Sequence, residues 1–167
     1  MKLEIELDRY EIILIATRIA KENLLNPALV LAIIEQESNF TPTAMRFEPQ
    51  FKYILNPDIF SRKNRISLAT EINLQQISWG LMQIMGAVTR ELGFDKEMPL
   101  MLVPETNIHF GCLKLSQLLS KYATLENAVS SYNQGSPMKL FNGTYRNQEY
   151  VTSVLSKMRN WEFNLIP

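Results

Sequence analysis

The clearest chemical potential in this chain lies in two carboxylates at the end of an apolar run. The stretch Asn26-Pro27-Ala28-Leu29-Val30-Leu31-Ala32-Ile33-Ile34 leads into Glu35-Gln36-Glu37-Ser38-Asn39-Phe40. Read as a helix of about 3.6 residues per turn, it puts Glu37 on the same stripe as Val30, Ile33 and Ile34. Glu35 lies about 160° round the helix, with Ala28 and Leu31. A carboxylate on the apolar stripe, at a helix C-terminus, meets desolvation and the negative end of the helix dipole. Both favour its protonated form. That is how a general acid for neutral pH is made. Helices also end in charged residues that merely reach water, so the helix alone leaves Glu37 open between the two roles, with Glu35 the weaker candidate.

Two further stretches interrupt core-like sequence with polar groups. Gly80-Leu81-Met82-Gln83-Ile84-Met85 sets one neutral amide among large apolar side chains. A buried Gln83 needs partners for its acceptor and both donors, and these can be backbone groups or the hydroxyl and acetamido groups of a sugar. The two methionines fit a plain core or an adaptable groove wall. In Tyr132-Asn133, just before Gly135, the asparagine can be simple capping chemistry. The tyrosine can bury its ring and present its hydroxyl to a cleft.

Other chemistries find little support. His109 is the only histidine, one turn from Glu105, and no His/Cys cluster has metal-ligand spacing. No glycine-rich loop suits a phosphate, and no serine sits in a nucleophile elbow. Lone Cys112 cannot form an internal disulfide and reads as a buried structural thiol. The 17 basic and 17 acidic residues balance, which argues against a nucleic-acid partner. No apolar run is long enough to span a membrane. The start, Met1-Lys2-Leu3-Glu4-Ile5-Glu6, is too acidic for a secretory signal. Action outside the cytoplasm would then need another delivery route or a leader already removed.

The elements that must hold these residues are mostly helical. Asp8 and Glu11 have capping-box spacing for a helix with Ile12, Ile15, Ile19 and Ala20 on one face, ending near Asn23. Leu3, Ile5 and Leu7 alternate with charges as a short extended lead-in. Asn26 and Pro27 cap and start the central helix. From about Ala44 to Gln76 the pattern is irregular, with Arg46-Phe47-Glu48-Pro49, Asn56-Pro57-Asp58 and the cationic Arg62, Lys63 and Arg65. It reads as loops with short helical pieces near Ile66 to Leu74, and its length suggests a functional lobe or flap. Helices follow from Ala87 to a stop at Gly93, from Pro104, from about Leu125, and around Tyr150 to Met158. Residues 1–167 make one all-α, mostly helical domain with a long irregular insert at about 44–76.

Taken in order, the three polar stretches resemble the soluble type of lytic transglycosylase, relatives of goose-type lysozyme. The family pattern is a helix ending in Glu-Ser-x-Phe, then Gly-Leu-Met-Gln-Ile-Met, then Ala-Tyr-Asn-x-Gly. These are matched by Glu37-Ser38-Asn39-Phe40, Gly80 to Met85, and Ser131-Tyr132-Asn133-Gln134-Gly135. Pro104-Glu105-Thr106-Asn107-Ile108 with Gly111 is similar to the family's Pro-Glu-x-Asn-Ile-x-x-Gly helix start. The likeness runs from about Asn26 to Met158 and implies a lysozyme-like fold. The insert, with Arg-Phe-Glu-Pro and Ser-Trp-Gly, resembles that of phage-associated members.

The resemblance implies a peptidoglycan substrate and a single catalytic acid, Glu37. It would protonate the oxygen between N-acetylmuramic acid and N-acetylglucosamine, then take the proton of the muramic C6 hydroxyl, leaving a 1,6-anhydro end. Ser38, Gln83 and Asn133 would bind sugar, and Met82 would line the groove. Tyr132 would sit beside the carboxylate and hold its orientation. No cofactor or metal is implied, and the partners are glycan strands, with a phage particle or secretion apparatus as a candidate carrier. Departures are Gly86 where many relatives have proline, which should loosen the following helix start, and Ser131 for alanine. Arg146 also stands where many relatives carry glutamate. Two alternatives stay open. One is a muramidase on the same fold, which would activate water through a second carboxylate from Glu48, Asp58 or Glu71. The other is a non-catalytic module of a virion or secretion machine.

Overall fold

The computed structural model describes residues 8–165. The extended lead-in expected at Leu3, Ile5 and Leu7 lies outside them. Helix α1 (Arg9–Glu22) starts on the expected capping box: Glu11 N–H donates to Asp8 Oδ1 at 2.8 Å and Asp8 N–H to Glu11 Oε2 at 3.0 Å. Helix α2 (Pro27–Ser38) starts where Asn26 Oδ1 accepts from Ala28 N–H, with Pro27 in the first turn. Every residue from Ala28 to Ile34 is buried. A helix apolar on all sides is stable only where neighbours cover it all round. Here α8 (Gln148–Asn164) covers α2 most extensively, and α1 packs on it as well. Each aliphatic side chain buried this way contributes about 1.5–3 kcal/mol.

The remaining long helices are α6 (Pro104–Lys121) and α7 (Leu125–Gln134), which pack on each other, α6 also meeting α1. Helix α6 carries Ile108, Cys112 and Leu115 into the core, and α7 ends at Gly135 in the left-handed region. The Cys112 thiol is buried, which pushes it up to about 12 and leaves it inert.

The insert is more ordered than its sequence suggests. It contains strand β1 (Met45–Phe47), helix α3 (Pro57–Asn64) and helix α4 (Leu68–Gln75). The last is the helical piece expected near residues 66–74. Strand β1 pairs antiparallel with β2 (Ile77–Trp79), which pairs with β3 (Ile84–Met85). Strands of two or three residues, with β1 exposed throughout, show no alternation to read, so this small sheet had no sequence signal.

A buried ion pair fastens the insert to the body. Glu71 of α4 meets Arg90 of helix α5 (Gly86–Glu91) in a two-pronged contact at 2.9 and 3.0 Å, with both side chains fully buried. Arg90 also donates to Phe94 and Lys96 carbonyls. Gln75 accepts from Leu55 N–H and donates to Leu55 C=O and Glu71 Oε1, so a buried amide clamps the loop ahead of α3. Gly86 explains its own departure from proline. A β-carbon there would lie 2.3 Å from the Leu74 carbonyl oxygen of α4. Helix α5 begins at this residue, held by the insert's backbone.

Arg90→Met strands the Glu71 carboxylate in the core and should cost about 3–5 kcal/mol by urea denaturation. The double variant Glu71→Leu/Arg90→Met should recover most of that loss. Gly86→Pro should destabilise by about 1–3 kcal/mol in the same assay, from overpacking against Leu74.

Candidate active site

The C-terminal turn of α2 forms one wall of a cleft of ≈ 460 Å³. Glu37 lies on this wall, Arg46, Glu48 and Phe51 of the insert on another, and Ser78, Gln83 and Met85 line the sheet side. Lys114 of α6 and Tyr132 and Asn133 of α7 complete it. The insert is therefore a wall of the site, fixed by the ion pair beneath it.

Desolvation raises the Glu37 carboxyl above the ordinary glutamate range. Three favourable interactions with the ionised form oppose it: a hydrogen bond from Tyr150, then the charges of Lys114 and Arg46. The Tyr150 hydroxyl donates to Glu37 Oε1 at 2.6 Å. It comes from the first turn of α8, 113 residues away in sequence, and the close packing of α8 on α2 brings it there. Burial and the neighbouring carboxylate hold the Tyr150 phenol well above its usual range, so it stays a donor. Oε1 is thus occupied, and among the described residues Oε2 has no hydrogen-bond partner.

Glu35 occupies different surroundings. Its Oε2 accepts from Trp161 Nε1 at 2.8 Å, on a polar surface lined by Ser153 and Lys157 of α8 and outside the cleft. The angular separation of the two carboxylates on α2 thus decides which one faces the cleft.

The other expected site residues divide into those at the cleft and those behind it. Gln83 lines the cleft with its backbone in the left-handed region (φ 45°). Its Nε2 donates to Ala44 O at 3.0 Å and Gly80 O at 2.8 Å. The amide oxygen accepts nothing among the described residues. Asn133 is exposed at the rim, where its Oδ1 accepts from Asn147 Nδ2 at 3.1 Å. Ser38 does not line the cleft. Its hydroxyl is engaged by the Leu81 carbonyl at 2.8 Å, with Ile34 O at 3.2 Å, and ties α2 to the Gly80–Met85 turn.

Two more expectations need correction. Met82 does not line the groove: its side chain is fully buried and packs on Gly111 of α6, while Met85 reaches the cleft. The turn at Gly80 reverses the chain and sends Leu81, Met82 and Ile84 into the core, leaving Gln83 and Met85 at the cleft. Tyr132 lines the cleft together with Glu37, but the hydroxyl that holds the carboxylate is that of Tyr150. The Tyr132 ring is buried and its hydroxyl donates to Met82 O at 2.9 Å. Its phenol reaches the turn beneath the cleft.

Among the second carboxylates weighed for a hydrolase, only Glu48 lies at this cleft, ion-paired with Arg46. Glu71 is consumed by Arg90, and Asp58 is paired with Arg62 along α3. Sequence reasoning missed Tyr150, Lys114 and Arg46 as site residues. Tyr150 carried a weak signal, a hydroxyl-bearing ring on an apolar helix face. Lys114 sits where helical spacing shows only a flank of the Ile108–Cys112–Leu115 stripe. Among the described residues no cluster of His, Cys, Asp and Glu could hold a metal ion, and no helix is long and apolar enough to cross a membrane.

A mostly helical domain with a burial-raised carboxyl at the end of its central helix, facing a cleft, is of the lysozyme-like class. Residues 15–151 match the family model of the transglycosylase SLT domain, and the chain belongs to that family. Membership places it among lytic transglycosylase-type proteins that act on peptidoglycan. No curated protein matched the chain.

Tyr150→Phe removes the bond that favours ionised Glu37. The Glu37 titration, followed by carboxyl ¹³C NMR, should move further up. Loss of the fixed Oε1 should lower turnover of peptidoglycan about 10- to 100-fold.

Proposed function

We propose that Glu37 is the single acid–base group of a lytic transglycosylase that cleaves the β-1,4 bond between N-acetylmuramic acid and N-acetylglucosamine. The observation that carries this reading is the cleft-facing Glu37 carboxyl, raised by burial and held at Oε1 by Tyr150. In the first half, protonated Oε2 gives its proton to the glycosidic oxygen and the bond to muramic C1 breaks. The substrate's acetamido group stabilises the positive charge that develops at C1. In the second half the muramic C6 hydroxyl attacks C1 and its proton returns to the Glu37 carboxylate. A 1,6-anhydro end forms, and Glu37 is again protonated without water entering the reaction. Gln83, whose amide oxygen has no partner among the described residues, and Asn133 at the rim are the sugar contacts in this reading. Ser38 and Met82 hold the turn from behind, and Tyr132, at the cleft, braces it through its hydroxyl.

The acid must be protonated to act on free substrate. Because burial raises its pKa, the protonated fraction persists to higher pH than for an ordinary glutamate. The profile of kcat/KM should therefore fall as pH rises through that raised value.

Digestion of purified sacculi followed by mass spectrometry tests the reading. Wild type should release anhydro-muropeptides, and Glu37→Gln should lose at least about 100-fold in rate. Full activity in Glu37→Gln, or no muropeptide release by wild type, would sink it. The hydrolase alternative keeps one foothold, because Glu48 shares the cleft. It requires reducing muramic ends whose release depends on Glu48, so Glu48→Gln run alongside separates the two.

A further inference from the structure

Helix α6 contributes Lys114 to the cleft that Glu37 faces. Its Nζ donates to the Tyr132 carbonyl at 2.8 Å and lies 4.0 Å from the centre of the Tyr132 ring. That carbonyl is in the last turn of α7, where backbone oxygens lack helical partners and attract a cation. Capping α7 thus explains one of the three ammonium donors. A neutral amide could make the same bond, while the helix end and the Tyr132 face both favour a cation, so the charge has a local partner as well as a view of the cleft.

The surroundings show what the charge faces. The titratable and charged groups about the amine are Glu37 on α2, Tyr132 on α7, Tyr150 on α8, Arg46 and Glu48 at β1, and Cys112 on α6 itself. The phenols and the thiol are held neutral by burial. Arg46 and Glu48 form an ion pair with each other. Arg46 is shared between Glu48 and the field at Glu37, whereas Lys114 has Glu37 as its charge partner, without a direct ion-pair contact between them.

We propose that Lys114 is a positioning residue for the acid step: its ammonium is the counter-charge that stabilises the Glu37 carboxylate left once the proton has gone to the glycosidic oxygen. Lys114 keeps its own proton throughout, and the proton that returns to Glu37 comes from the C6 hydroxyl. The proposal rests on Glu37 being the acid–base group. Burial brings the Lys114 amine down to about 8, so it is cationic at neutral pH and loses that charge in mildly alkaline solution.

Two variants separate charge from capping. Lys114→Gln keeps a donor for the Tyr132 carbonyl and removes the charge, while Lys114→Arg keeps the charge. The Glu37 titration is followed by carboxyl ¹³C NMR in the free protein, which needs no turnover. It should move upward in Lys114→Gln and stay near wild type in Lys114→Arg. On sacculi, kcat of Lys114→Gln should fall about tenfold with KM little changed, and Lys114→Arg should restore much of it. The fall of kcat/KM with pH should move upward together with the titration. A Glu37 titration in Lys114→Gln that overlays wild type overturns the proposal, as does an upward move in Lys114→Arg equal to that in Lys114→Gln. Should Lys114→Gln not fold, Lys114→Met takes its place on the same criterion: a raised Glu37 titration supports the counter-charge and an unmoved one refutes it. Failure of wild type to make anhydro products would remove the transglycosylase reading, while the titration would still report whether Lys114 is Glu37's counter-charge.

Discussion

Asn107 is fully buried, and a buried amide must find partners for its carbonyl and its amide protons. It finds them in the turn beneath the cleft. Its Oδ1 accepts from Met82 N–H at 2.8 Å, and its Nδ2 donates to Trp79 O at 2.8 Å and Met101 O at 3.0 Å. The fit is tight enough that a β-carbon at residue 80 would lie 2.5 Å from Nδ2, so Gly80, at φ +64°, has both its space and its backbone conformation dictated from α6. Ser38 fastens the same turn to α2 and Tyr132 fastens it to α7. Three helices thus grip one short reversal, and the position of Gln83 on the cleft follows from that grip. The polar residues that look like sugar contacts in the linear sequence are largely the bolts of this assembly.

The insert obeys a second constraint of the same kind. A carboxylate without solvent is tolerable only if its partner is equally fixed, and Glu71 and Arg90 satisfy each other in the interior. Such a pair contributes little net stability over well-packed aliphatic residues, but its two-pronged contact joins α4 to α5 at a defined point. That docking carries β1, and with it Arg46 and Glu48, to the cleft wall. Residues 44–76 form a fixed wall in this arrangement, which accounts for Gly86 in place of proline where α4 and α5 touch.

At Glu37 opposing terms are held in balance. Burial favours the acid form. Tyr150, Lys114 and Arg46 favour the carboxylate. In the proposed reaction Glu37 gives a proton and then takes one back, which needs both forms within reach, and neither term alone supplies that. Each opposing group comes from a different part of the fold, so the balance is a property of how α2, α6, α8 and the insert meet.

Much was legible in the sequence because it is local. The capping box at Asp8, the Asn26-Pro27 start, the Gly135 stop and the uninterrupted apolar run of α2 are dictated by neighbours within a few residues, and the helices lie where these signals put them. The placement of Glu37 and Glu35 on different sides of α2 is equally local, since it follows from helical pitch. Tertiary structure alone decided which phenol reaches Glu37, that Met82 turns inward while Met85 faces the cleft, that the insert is a pinned wall, and that Lys114 and Arg46 stand about the acid. These depend on which elements pack together in space, as with Tyr150 and Glu37, 113 positions apart. Desolvation and charge act through distance in space, which no spacing along the chain records.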